Sequence, residues 1–289
     1  MRRFLVSLIL MALVLTWHRE AAAQEAPQRP FTILVTNDDG YNAPGIRALV
    51  DSLVSIAAVV VAAPEGQQSG VSHGIRLSNP ITVDEFSNKH GIEWYAIDAR
   101  PATAMRLALD ALIDTLPDLV VSGINTGDNV GLTSWLSGTV AAAREAAFHG
   151  VPAIAVSMGA GTYEDYEAAA GFVKTLVQQL REGGAIEPGM FLNVNVPAAS
   201  SRPLMGVRVV RQSVAPNTSS YEPRTSPRRR LYFWDSWQPA FDDVDGTDLY
   251  GFNRGYIVIT PFKIDQTDMR ALETLKPLLE RDVPQEEGG

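Results

Sequence analysis

There is no cysteine in this chain of 289 residues. Disulfides, thiolate zinc sites and thiol nucleophiles are therefore all excluded, and the fold has to stand on its core. Positive charge is also short: 24 Lys and Arg against 33 Asp and Glu give a formal charge of −9. Neutralising a polyanion needs clustered basic side chains, so duplex nucleic acid is excluded as a natural partner. A small phosphate ester stays open if a metal ion supplies local positive charge. Long hydrophobic runs are missing too. The longest, Leu5 to Trp17, is too short for a comfortable membrane-spanning helix of ~20 residues.

That run belongs to an amino-terminal address. Arg2 and Arg3 precede it, and Ala21-Ala22-Ala23 follow it before Gln24. A positive start, an apolar middle and small residues at the end make a secretory signal peptide, the alternative being an uncleaved anchor. The expectation is a signal peptide over 1–23, a mature chain over 24–289, and a periplasmic product without stable membrane insertion. Removing residues 1–23 takes away three arginines and one glutamate, which moves the charge from −9 to about −11. With 46% hydrophobic residues, the remainder is long enough for one large domain.

Phe31-Thr32-Ile33-Leu34-Val35-Thr36 reads as a buried strand, and Asn37-Asp38-Asp39-Gly40 follows at once. Ligands bind at the carboxyl ends of strands in open α/β sheets. Adjacent aspartates repel each other and lose solvation unless something positive sits between them. A hard divalent cation with oxygen ligands answers that need. A solvated turn is the competing reading, because Asn, Asp and Gly are ordinary turn formers.

From there the chain alternates. Ala43–Ile56 carries Ile46, Leu49, Val50 and Leu53 at helical spacing, and Ala57–Ala63 is an apolar strand closed by Pro64. A βαβ unit of this length implies a parallel sheet. Ile81–Val83 and Ile92–Ile97 read as a short strand pair, and Pro101–Leu116 as a helix. Asp118–Ser122 is a third buried strand, predicted to end in the loop Gly123–Gly131. Helices follow over Ser137–His149, Tyr163–Leu180 and Thr267–Arg281, with strands over Pro152–Met158, Met190–Val196 and Gly255–Pro261. The pattern predicts a Rossmann-like three-layer α/β/α sandwich, with too few βα units for an eight-fold barrel.

Three segments bear on chemistry. Gln67-Gln68-Ser69-Gly70-Val71-Ser72-His73-Gly74 offers hydroxyls and an imidazole after the second strand. His73 reads either as a general acid for a leaving alkoxide or as a packed loop residue. Ser137-Gly138-Thr139 opens an alanine-rich helix, where free N–H groups make a phosphate site or need only a serine cap. Ser213 to Arg254 holds Pro216, Pro223, Pro227, three consecutive arginines and several aromatics. It reads as an extended arm, since Phe233, Trp234, Trp237 and Phe241 are costly to leave in water. The alternative is a flap over the site.

The motifs together resemble one family, the SurE-type survival-protein nucleotidases. The resemblance runs through Thr36–Gly40, Val60–Pro64 with Gln68-Ser69-Gly70, and Ser122–Gly127 with Asn129 and Gly131. It continues through Ser137–Ala143, Leu192–Pro197 and Gly255-Tyr256 to Thr260-Pro261. It implies a metal-dependent phosphomonoesterase acting on nucleoside 5′- and 3′-monophosphates, with Mg2+ or Mn2+ as cofactor. On it, Asp38, Asp39, Ser69 and Asn125 match the metal positions. Asp38 and Asp39 are the catalytic pair, and Asn37, Ser137, Gly138 and Thr139 lie around the substrate phosphate. It also implies a homodimer or higher oligomer formed through carboxy-terminal extensions. The chain departs from the family pattern at Ala99–Thr103 and Leu132–Leu136, where Arg100 and Trp135 are expected to reshape the substrate pocket. An exported binding protein without turnover and a metal-dependent nucleoside hydrolase are the competing functions.

Overall fold

The computed structural model describes residues 29–87, 91–216, 218–238 and 240–281. The expected signal segment lies outside the described residues. Among those described, no helix is long and apolar enough to cross a membrane.

Residues from Thr32 onward form one compact unit around a nine-stranded sheet. β1 (Thr32–Thr36), β2 (Ala58–Pro64), β4 (Glu93–Ile97), β5 (Leu119–Thr126), β6 (Ala153–Met158) and β7 (Phe191–Val196) run parallel. β3 (Val83–Ser87) closes one edge antiparallel to β4. β11 (Ile257–Pro261) lies antiparallel to β7, and β8 (Val207–Val209) pairs with it at the far edge. The spatial order is β3-β4-β2-β1-β5-β6-β7-β11-β8. Strands covered on both faces must be apolar throughout, which is why Ile33, Leu34, Val35, Val120 and Val121 are fully buried.

Helices α1 (Pro44–Leu53) and α4 (Tyr163–Glu182) pack together on one face. α2 (Pro101–Leu107) and α3 (Gly138–Phe148) pack together on the other. Proline opens both α1 and α2, where its missing N–H is no loss. α2 is shorter than the predicted Pro101–Leu116, because the chain widens into a π-turn over Ala108–Leu112. In α3, Ala142, Ala143, Ala146 and Ala147 face the sheet, and their small side chains let the helix approach closely.

One further expectation changes. β5 does not stop at Ser122: it continues to Thr126 through a register irregularity against β6 between Ser122 and Asn125. Asn125 therefore stands on a strand end rather than in a loop. The projecting part of the arm is a two-stranded hairpin, β9 (Thr218–Thr225) and β10 (Leu231–Gln238), paired only with itself. Pro223 sits within β9 opposite Phe233, tolerated because each strand of a two-stranded ribbon is an edge. Beyond it the chain rejoins the body. Helix α5 (Asp248–Asn253) begins on a buried Asp248 that accepts N–H bonds from Gly131 at 2.8 Å and Ser213 at 2.7 Å. The last helix, α6 (Met269–Leu279), has no buried residue.

Candidate functional site

Strand order fixes the address. β1 lies between β2 and β5, so connections leaving β1 and those arriving at β5 turn to opposite sides. Their carboxyl ends leave a crevice there. Asp38 and Asp39 follow β1, Gln67 and Ser69 follow β2, and Asn125 and Thr126 end β5. The first turn of α3 completes the ring.

Asp38 is only 3% exposed. The Thr139 hydroxyl donates to its Oδ1, and the Gln68 N–H donates to its main-chain carbonyl at 2.7 Å. Burial, with the neighbouring Asp39 charge adding to it, pushes the Asp38 carboxyl up to about 6 against the Thr139 hydrogen bond. Asp39 is half-buried. Its Oδ2 accepts the Thr126 N–H at 2.9 Å, and its Oδ1 accepts Gln67 Nε2 at 3.3 Å. Burial still raises its carboxyl above the usual range. Gln67 Nε2 also reaches Ser69 Oγ at 2.9 Å, so one amide links the two loops. Sequence reasoning marked Gln67 only as a member of a polar loop; its link to Asp39 spans 28 positions and leaves no local signal.

Asn125 donates its Nδ2 to the Gly127 carbonyl at 2.6 Å, leaving Oδ1 as an available acceptor. Asn37 is fully buried. Both ends of its amide bond Gly40, Nδ2 to the carbonyl at 2.8 Å and Oδ1 from the N–H at 3.2 Å. It thereby shapes the turn that presents the aspartates. Ser137 caps α3, its Oγ accepting the Val140 N–H at 3.1 Å. Gly138 is pressed against the pair: a Cβ there would stand 2.8 Å from Asp38 Cβ and 2.9 Å from Pro101 Cγ. Only glycine lets the helix start come this close to the carboxylate. Asn129 holds the loop beneath, its N–H donating to Asn195 Oδ1 at 2.7 Å and its Nδ2 to Ser157 Oγ at 2.8 Å.

These groups fit a hard divalent cation. Two buried-to-half-buried carboxylates stand side by side, and no basic side chain contributes to holding either one ionised. Among the described residues no three His, Cys, Asp or Glu cluster as a metal cage. Two carboxylates with a hydroxyl and an amide oxygen suit magnesium or manganese, which retain water and prefer oxygen, and not zinc or copper.

His73 is engaged elsewhere. Its Nε2 lies 2.7 Å from Glu145 Oε2, and its ring stacks on Phe148 at 5.3 Å. Glu145 is fully buried in α3 and also accepts Arg106 Nε at 2.7 Å. Burial would raise its carboxyl, but the hydrogen bonds from His73 and Arg106 outweigh that and hold it below its usual range. Together with the Ser72 N–H bond to the Leu136 carbonyl at 3.0 Å, this pair fastens the loop after β2 onto α3. Arg100 lies along Gly74, where a Cβ would stand 2.5 Å from its Nη1. Trp135 faces Arg144, whose guanidinium carbon sits 4.9 Å from the ring centre. A separate cavity of about 470 Å³ opens beside Tyr41, two residues beyond Asp39, and includes Phe86, Trp94 and Tyr163 in its wall.

Comparison with known proteins agrees with this geometry. The model of the Survival protein SurE family matches residues 33–218. The chain is 42% identical over 246 residues to the 5′-nucleotidase SurE of Syntrophotalea carbinolica, covering 84% of this chain and 95% of that protein. It is 40% identical over 246 residues to the 5′-nucleotidase SurE of Geobacter metallireducens, covering 84% and 96%. The crystal structure of the SurE protein from Aquifex aeolicus superposes with a TM-score of 0.73 at 31% identity, covering 86% of this chain and 100% of that one. With the matched segment spanning both aspartates, the strand ends and the start of α3, the chain belongs to the Survival protein SurE family.

Proposed function

We propose that this protein is a 5′-nucleotidase, a divalent-metal-dependent phosphomonoesterase that hydrolyses nucleoside 5′-monophosphates, and 3′-monophosphates as well, to nucleoside and phosphate. The observation that carries the reading is Asp38 and Asp39, adjacent and uncompensated, with the start of α3 pressed against them through Gly138. The relatives of matching length that are named 5′-nucleotidase support it.

Asp38, Asp39, Ser69 Oγ and Asn125 Oδ1 are the groups that would hold Mg2+ or Mn2+. When such a cation is bound, the site gains the positive charge that a phosphoryl group and its attacking water require. Ser137 Oγ takes the Val140 N–H and the Asp38 carboxylate draws on the Thr139 N–H, so the Gly138 N–H, with the helix dipole behind it, is the group left to face a phosphoryl oxygen. Thr126 and Gln67 fix the direction of the Asp39 carboxylate. Thr139 does the same for Asp38.

Phosphate release from nucleoside monophosphates, measured with and without chelator, tests the reading. Release should stop on chelation and return with Mg2+ or Mn2+. Liberation of free base would make the protein a nucleoside hydrolase, and tight nucleotide binding without release would make it a binding protein. We further propose export with cleavage near Ala23, on the composition of residues 1–23. A homodimer at least is supported by the exposed aromatic hairpin.

A further inference from the structure

Arg144 is a buried cation without a buried anion. It lies in the middle of α3 at 9% exposure. Its sequence neighbour Glu145 turns to the opposite flank, where His73 and Arg106 occupy it. Among the described residues, no carboxylate or carbonyl accepts a bond from the Arg144 guanidinium; its contact is the face of Trp135. Burial alone acts on it, lowering its pKa with no counter-charge to offset the shift. A guanidinium cannot shed its proton to escape that penalty, and its nitrogens, which are not sealed from solvent, are free to take an acceptor.

The guanidinium lines a cavity of about 170 Å³ that shares no residue with the Asp38–Asp39 site. Lys263 and Asp265 also line it, as do Ser134 and Gln212. Gln212 is fixed there, its Nε2 donating to the Gly131 carbonyl at 2.9 Å and to Ser134 Oγ at 2.8 Å. Asp265 Oδ1 accepts the Thr267 N–H at 2.9 Å, and the carboxylate, held ionised by Thr267 and Lys263, keeps lone pairs for a further bond. The wall thus offers two cations and one carboxylate oxygen. The space suits a five-atom oxyanion with a few waters.

We infer that this cavity, bounded by Arg144, Trp135, Lys263 and Asp265, is a second site, for inorganic phosphate. Arg144 and Lys263 attract the oxyanion. Asp265 selects among oxyanions, because a carboxylate repels a fully deprotonated anion but accepts a hydrogen bond from a P–OH group. Phosphate near neutral pH keeps at least one such hydrogen, and sulfate keeps none. The inference is independent of the proposed nucleotidase activity, and it is tested without substrate.

The experiment uses the full mature chain in chelator and phosphate-free buffer at pH 7, so that no metal recruits phosphate to the aspartates. Potassium phosphate and potassium sulfate are titrated at matched ionic strength. Thermal unfolding reads binding, and tryptophan emission reports the environment of Trp135. We expect a saturable response to phosphate at least about tenfold tighter than to sulfate. Arg144→Gln should abolish the response while unfolding, in phosphate-free buffer, no lower than the wild type. Lys263→Gln should weaken binding about tenfold, and Asp265→Asn should narrow the gap between the two anions. Equal action of phosphate and sulfate on the wild type would overturn the inference. So would an Arg144→Gln protein that still responds to phosphate, or, should that variant not fold, an unaltered response in Lys263→Gln.

Discussion

Replacing Asp38 by asparagine should make the metal-free protein more stable while disabling it. The native carboxyl is pushed from 3.8 to about 6 by burial and by Asp39. Each unit corresponds to 1.36 kcal/mol, so about 3 kcal/mol stands against its ionised form in the folded state. The direction with pH follows from proton counting. Between about 4 and 6 the folded protein binds more protons here than the unfolded chain does. Metal-free stability from this group therefore rises as pH falls through that window, and the full penalty applies above it. Asparagine removes the charge, keeps the shape, and still offers an oxygen to the Thr139 hydroxyl. Its new amide hydrogens need acceptors, which offsets part of the gain.

The expected net effect is about 2 kcal/mol at pH 7.5 in chelator, or about 4–8 °C in unfolding midpoint for a chain of this size. At pH 4 the difference should nearly vanish, because the native Asp38 is then neutral. Excess Mg2+ or Mn2+ should reverse the order at pH 7.5, since a ligand that binds only the folded wild type stabilises it by mass action. Even an outer partner of a metal ligand is worth about ten- to hundredfold in activity, so losing a ligand carboxylate should lower turnover by more than that. Thermal or urea unfolding of both proteins, in chelator and in metal, at the two pH values, makes the test. An asparagine variant no more stable than the wild type in chelator at pH 7.5 refutes the reasoning.

Gly138→Ala should destabilise by about 1–3 kcal/mol through overpacking against Asp38 and Pro101, and should lower kcat/KM more than stability suggests; an enzyme with wild-type kinetics would show that the helix start can retreat freely. Glu145→Ala leaves His73 and Arg106 without their shared acceptor and should cost about 3 kcal/mol at neutral pH by urea unfolding. Because the native Glu145 carboxyl lies below its usual range, that advantage of the wild type should shrink as pH falls through the carboxylate range. Deleting residues 221–235 should lower the mass seen by light scattering, since Tyr221, Leu231, Phe233 and Trp234 stand exposed on the hairpin; a full-length protein that is monomeric at micromolar concentration would refute the dimer. Mass spectrometry of exported protein should give an amino terminus near Gln24, and an intact Met1 in the membrane fraction would make the segment an anchor.

The parts of the site that could be read from the sequence are those whose cause is local. A strand that ends in Asn37-Asp38-Asp39-Gly40 announces both its burial and its unsatisfied charge within ten residues, and Ser137-Gly138-Thr139 announces a helix start. What stayed hidden depends on partners far along the chain. Glycine at 123 suggested that β5 ends early, yet the sheet carries the strand past it to Thr126 because β6 continues alongside. The arm's hairpin could not be placed from its prolines, which disfavour helix and central strand but leave room for Pro223 in a ribbon with two open edges. Glu145 leaves no local signal either, because its partners lie 39 and 72 positions away. Arg144, beside it, carries the same lesson in reverse. Adjacent Arg and Glu in a sequence suggest a pair, but on a helix neighbouring positions point about 100° apart and do not face each other. The fold gives the glutamate an imidazole and a guanidinium on one flank and leaves the arginine with an aromatic face and a cavity on the other.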